Sequence, residues 1–256
     1  MIQRRWTEKS KLFSGIALGL WLSALAGQQA QAQVCNVSVM PLGDSITEGV
    51  KDPGDAGNPL NTGYRDHLYG ALVGDYPGLD FVGSLASGPD DGSFDRDHEG
   101  HSRENAEWVA DRTFDFLTAN PADVVLLHIG TNGLGPVSEV ARVLDEIDRF
   151  DTAVHVILAQ IIDARQPDNP DHTAFNQMLA TMANNRIANG DIITLVNMQP
   201  VVAYPSEFAE NDRRHPNDTG YQKMATAWFG VLEPVLATFC EDQLRRIFSN
   251  GFESGG

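Results

Sequence analysis

The sequence predicts an α/β fold, a three-layer α/β/α sandwich around a five-stranded parallel sheet. Three observations carry that expectation. Apolar runs of strand length alternate regularly with amphipathic stretches of helix length. Asp123–Ile129 is a continuous apolar run stopped by Gly130, the pattern of a strand buried on both faces of a parallel sheet. No internal repeat and no linker breaks the alternation, so the elements belong to one domain.

The chain opens with Arg4, Arg5, Lys9 and Lys11, runs apolar from Leu12 to Gly27 and reaches the small-x-small pattern Ala30-Gln31-Ala32. That order is an export signal with its cleavage site. A spanning helix needs about 20 apolar residues and no such cleavage pattern. Residues 1–32 are therefore expected to be removed, leaving a domain over 33–240, a polar tail over 241–256 and a secreted or periplasmic protein. Ala32-Gln33-Val34 ahead of Cys35 is a poor lipoprotein signal, so no stable membrane anchor is expected.

Val37–Leu42 reads as the first strand, ending at Gly43. A Gly- and Pro-rich loop, 51–62, leads through Gly63-Tyr64-Arg65 into a helix to about Asp75, with Leu68, Leu72 and Val73 on one face. Asp80–Gly83 is a short second strand. Ala86–Arg103, almost without apolar residues, reads as a long loop, and long loops in compact domains are often functional. Helices are expected over Glu104–Ala119, Ser138–Phe150, His172–Ala188 and Thr219–Phe239, the last capped by Asn217 or Asp218. Strands three to five fall at Asp123–Ile129, Val154–Ile162 and Asp191–Asn197.

The chain carries a formal charge of −17, and the segment 1–32 is itself basic. A surface this acidic repels nucleic acid phosphates and anionic lipid. Only two cysteines are present, Cys35 and Cys240, near the two ends of the domain. In an exported chain they are expected to form one disulfide. Closing so long a loop is worth up to ~5 kcal/mol in the chain-entropy picture.

Chemistry concentrates after the strands. Gly43-Asp44-Ser45 sets a serine at the carboxyl end of the first strand, where open α/β sheets place their ligands. Taken alone, Ser45 reads equally well as a nucleophile or as a helix N-cap. Asp212-Arg213-Arg214-His215 offers a base for its proton and an acid three residues earlier to hold the other ring nitrogen. Gly130-Thr131-Asn132 brings a side-chain amide to the same sheet edge, where it can donate to an oxyanion. Gly100, in Glu99-Gly100-His101-Ser102, adds a backbone amide and room for close approach. His98 and His101 flank it and could touch substrate, whereas His128, inside a strand, reads as a core residue. The acids from Asp90 to Asp97 could hold Ca²⁺, though not at EF-hand spacing.

These four pieces resemble the SGNH branch of the GDSL esterase superfamily. Ser45, Gly100, Asn132 and His215 match its four motif residues, with Asp212 completing a triad. Met40–Thr47, Gly63-Tyr64-Arg65, Phe81–Ser84, Asp97–Ser102, His215-Pro216-Asn217 and Gly220-Tyr221 are most similar to carbohydrate esterase family 3, which deacetylates xylan. The resemblance implies a flavodoxin-like sheet, catalytic Ser45, His215 and Asp212, and an oxyanion hole of Ser45, Gly100 and Asn132. It implies no cofactor and no metal. An acetylated carbohydrate or another ester is the expected partner of a monomer. Two positions depart from the family pattern: Gly133 stands where Asp is usual, and Arg103 where a second Gly is common.

Overall fold

The computed structural model describes residues 35–166, 169–210 and 212–253, and for 247–253 the backbone alone. The expected export signal, 1–32, lies outside the described residues, as do 254–256 of the expected tail. The expected class is what the chain adopts. Five strands run parallel: β1 (Asn36–Gly43), β2 (Gly78–Phe81), β5 (Val124–His128), β6 (His155–Ala159) and β7 (Ile193–Val196). Their spatial order is β2-β1-β5-β6-β7, with β5 central and β1 flanked on both sides. The order reverses at β1, the switch point where doubly wound sheets open a crevice at their carboxyl ends.

Residues alternate across β1 and β5 between two cores. Val39 and Leu126 pack with Leu68, Trp228 and Leu232 on one face, under α2 (Arg65–Leu72) and α6 (Asp218–Glu253). Met40, Leu42, Val125 and Leu127 pack on the other with Val109, Val140 and Leu179. Those three belong to α3 (Ala106–Ala119), α4 (Val137–Phe150) and α5 (Pro170–Asn189). Both faces are covered, hence the unbroken apolar runs.

Three details depart from the sequence reading. The stretch read as a loop, Ala86–Arg103, holds β4 (Asp97–Gly100), parallel to β1 at its carboxyl end. β3 (Leu85–Ala86) pairs antiparallel with β4. The strand escaped notice because Asp97-His98-Glu99-Gly100 is polar, and its burial is stabilised by hydrogen bonds rather than apolar contact. Helix α3 starts at Ala106 rather than Glu104, because Asn105 caps it by accepting from the Trp108 amide at 2.9 Å. Helix α6, capped by Asn217 accepting from the Gly220 amide, continues past Phe239 to Glu253.

Cys35 and Cys240 are bonded, with Cα atoms 5.3 Å apart, tying the entry of β1 to α6. Among the described residues no helix is long and apolar enough to cross a membrane.

Candidate active site

The short helix α1 (Ser45–Glu48) follows β1 directly. Its N-cap is Asp44, whose Oδ1 accepts from the Ile46 amide at 3.0 Å. Capping is therefore the work of Asp44, and the Ser45 hydroxyl is left for another partner. That partner is His215: Ser45 Oγ lies 2.8 Å from His215 Nε2. The two residues are 7% and 5% exposed, so the pair is largely shielded yet still reached by solvent.

His215 reaches Ser45 because its loop folds back on itself. Ala209 N donates to the His215 carbonyl at 2.9 Å, and Asp212 and Arg213 N donate to the Ala209 carbonyl. This closes a tight turn that sets Asp212 Oδ2 against His215 Nδ1. With Asp212 ionised, Nδ1–H donates to it and Nε2 is free to accept the serine proton.

Asn132 follows β5. Its Nδ2 donates to the Glu104 carbonyl at 2.9 Å, which fixes the amide and leaves its second hydrogen for a ligand. The Ser45 amide, first in α1, finds no acceptor among the described residues, as expected of a helix start. Both donors stand at the carboxyl edge with Ser45.

Gly100 does not match its expected role. Its amide donates to His98 Nδ1 at 2.9 Å and is not free for substrate. A Cβ there would lie 2.4 Å from the Glu48 amide nitrogen. Gly100 is a spacer that lets β4 press against α1. His98 is also engaged at Nε2, by Ser87 Oγ at 2.9 Å, and burial drives its pKa well below the usual value, so it stays neutral. His101 stacks on Phe116, with centroids 4.9 Å apart, and its Nε2 meets Glu99 Oε2 at 2.7 Å. His128 is a core residue, its pKa pushed down to about 4 by burial.

The acids of the 90–97 loop are turned to protein partners. Asp90 pairs with Arg96, Asp91 accepts from Ser93 N, and Asp95 accepts from Phe81 N. Among the described residues no group of three or more His, Cys, Asp or Glu could hold a metal ion.

The sequence reading missed the frame behind Ser45. Arg65 is fully buried and donates to the carbonyls of Thr47, Glu48, Asn61, Ser87 and Arg96. Burial lowers its pKa to about 10. Glu48 is buried too, accepting from Gly57 N at 2.6 Å, Asn61 Nδ2 at 3.0 Å and Ser102 Oγ. The signal for Arg65 was the Gly63-Tyr64-Arg65 motif; nothing in the sequence marked Glu48. Asp44 is buried as well, its pKa raised to about 7 by desolvation. The Ile46, Asp44 and Thr131 backbone groups and the Arg214 charge oppose that shift.

Neither of two surface hollows is lined by Ser45 or His215. A 460 Å³ hollow is lined by Arg103, Glu104, Trp108 and Asn132 among others. A larger hollow, 900 Å³, lies at the far, amino edge of the sheet between α6 and the starts of β5 to β7, and holds none of these residues.

The sequence profile of the GDSL-like lipase/acylhydrolase family matches residues 39–228. A multidomain esterase of Ruminococcus flavefaciens is 26% identical over an alignment covering 90% of this chain and 33% of that protein. The chain thus spans about a third of that relative's length. A family 3 carbohydrate esterase of Clostridium thermocellum superposes with a TM-score of 0.68 at 25% identity, over 80% of this chain and 99% of its own. Another, from Talaromyces cellulolyticus, gives 0.67 at 23%, over 79% and 99%, a likeness of fold.

Proposed function

This chain belongs to the GDSL-like lipase/acylhydrolase family of carboxylic ester hydrolases, and we propose that it is an exported enzyme that removes acetyl groups from acetylated polysaccharide such as xylan. The observation that carries the reaction class is the continuous chain from Ser45 Oγ through His215 to Asp212 at the sheet's carboxyl edge. The polysaccharide is supported by the likeness to family 3 carbohydrate esterases. Export is supported by the disulfide between Cys35 and Cys240.

In this reading Ser45 Oγ attacks the ester carbonyl as its proton passes to His215 Nε2. Asp212 holds the ring and steadies the imidazolium. The oxyanion forms against the Ser45 amide and the free hydrogen of Asn132 Nδ2, each donor of this kind being worth roughly 3 kcal/mol. His215 then protonates the departing sugar oxygen. Water, activated by the same histidine, attacks the acetyl-enzyme, and acetate leaves. Every proton moves between groups of this chain, the substrate and water.

Acetate release from acetylated xylan, measured beside aryl acetate, butyrate and octanoate esters, tests the substrate. Release from xylan is expected, with aryl ester rates falling as the acyl chain lengthens. Rates that rise with acyl length, without release from xylan, would instead support a lipid or lysophospholipid esterase.

A further inference from the structure

Four residues other than glycine hold a left-handed backbone among the described residues: Arg103 (φ 73°), Leu134 (39°), Arg165 (71°) and Arg213 (52°). All four stand in loops at the carboxyl edge, around Ser45 and His215. A side chain in that conformation is strained relative to glycine. Three of the four are arginine, so the strain keeps a long cation where glycine would sit more easily.

Several cations elsewhere answer acids, while Arg65 and Arg112 donate to backbone carbonyls instead. Arg149 meets Glu146 at 2.6 Å, and Arg186 meets Asp145, Asp148 and Asp191 within 2.6 Å. Arg165, Arg213 and Arg214 form no ion pair among the described residues, in a chain of charge −17, although Asp212 acts on Arg165 and Asp44 on Arg214 at longer range.

The three are held together. Arg165 N donates to the Arg213 carbonyl at 2.7 Å, tying the loop after β6 to the loop of His215. Arg213 Nη1 donates to Tyr204 Oη at 3.3 Å. Arg214 keeps a buried Nε without a hydrogen-bond partner. Partial burial and then the charge of Arg214 lower the pKa of Arg165, with Asp212 opposing. Like charges whose backbones are tied together in this way suit an anion that can lie between them.

Their place relative to the chemistry says which part of the substrate they meet. His215 must hand its proton to the sugar oxygen, so the sugar half of the ester lies on the His215 side of Ser45, where these arginines are. We propose that Arg165, Arg213 and Arg214 form a carboxylate-binding rim and that the substrate is an acetylated polysaccharide carrying uronic acid units near the acetylated sugar. This rests on the polysaccharide deacetylase reading and narrows it. Planar guanidinium groups suit a carboxylate, and the rim anchors an anionic polymer that the rest of the surface repels.

The test compares acetate release from acetylated glucuronoxylan with release from the same polymer after enzymatic removal of its uronic acid groups, acetyl content matched. The wild-type chain is expected to favour the acidic form in kcat/KM by about tenfold, the effect of one charge-assisted hydrogen bond. That ratio should shrink as salt is added. Arg165→Gln and Arg213→Gln should each lower the ratio and together bring it close to one, while Arg149→Gln leaves both rates unchanged. Arg165→Gly should lower the ratio while the melting temperature holds or rises, which a merely structural arginine would not do. A wild-type ratio of one, or variants that leave the ratio unchanged, overturns the rim and leaves deacetylation standing. A second measurement separates the two readings: inhibition of aryl acetate hydrolysis by an oligouronate but not by a neutral oligosaccharide of equal length supports the rim even if neither polymer is deacetylated. Equal inhibition by both overturns it.

Discussion

Ser45 sits between two regions built on opposite terms. On the side of α2 and β4, the buried charges are bonded at close range. Arg65 serves five carbonyls, Glu48 accepts three donors, and Glu99 accepts from Ser84 N and Oγ while meeting His101. On the side of the Asn132 and His215 loops three polar atoms, Asp44 Oδ2, Thr131 Oγ1 and Arg214 Nε, are buried without partners, against Arg96 Nε alone beside β4. There too stand Leu134, Arg165 and Arg213, with their left-handed backbones. A buried polar group left unpaired costs roughly 1–3 kcal/mol, so the first side, where Arg103 alone is left-handed, is chiefly scaffold and the second holds more of the unpaired and strained groups.

The largest effect should come from Ser45→Ala, lowering turnover by about 10⁴-fold or more without changing the melting temperature. Near wild-type acetate release would remove Ser45 from the mechanism. Arg65→Met, across the divide, should act in the opposite currency. It strands five carbonyls and is expected to cost ~3–5 kcal/mol of stability, about 10 °C or more in melting temperature. An unchanged melting curve for Arg65→Met would erase the distinction between the two sides.

Asp44 tests the boundary. Its folded pKa is about 7 against an ordinary 3.8, raised by desolvation. A carboxyl raised on folding binds its proton more tightly in the folded state, so its contribution is full below about pH 4 and is lost as the pH climbs to about 7. Asp44→Asn keeps the cap acceptor and removes the buried charge. Its stability relative to wild type should therefore rise between pH 4 and 7 by about 2–4 kcal/mol and level off above. Urea unfolding across that range reads the difference directly, and a pH-independent gap would mean Asp44 carries no buried charge.

The two sides also differ in how far they can be read from residues alone. That Ser45, His215 and Asp212 would meet was legible because acyl-transfer chemistry needs those types, and each follows a strand or precedes a helix. The parallel strands were legible because burial on both faces leaves continuous apolar runs. The scaffold was hidden: Arg65, Glu48 and Glu99 are charged, and hydropathy assigns charge to water unless the partners are known. Those partners lie up to 54 residues away, as Ser102 does from Glu48. The end of α6 was missed because Glu241–Arg246 is polar and offers no apolar face to count. Gly100 was misjudged for a related reason. Whether a glycine gives an amide to substrate or room to a neighbour depends on what stands behind it, and the Glu48 backbone is invisible from position 100.

Two glycines turn that last point into the finest comparison. A methyl added at Gly100 would meet the Glu48 nitrogen at 2.4 Å and the Thr47 carbonyl carbon at 2.8 Å, so α1 must move and Ser45 with it. Gly100→Ala is therefore expected to lose ~1–3 kcal/mol of stability along with most activity. At Gly133 a methyl meets nothing within 4 Å, and only the backbone resists, at φ 82°. Gly133→Ala should cost about 1 kcal/mol, a melting shift of roughly 2–4 °C. The adjacent Asn132 is pinned by the Glu104 carbonyl from a different loop, so the strain at residue 133 has no direct route to the amide proposed as oxyanion donor. Turnover within a few-fold of wild type is the expected result. A large loss of turnover at unchanged stability would mean that the turn after β5, rather than the Glu104 carbonyl, aims the Asn132 amide.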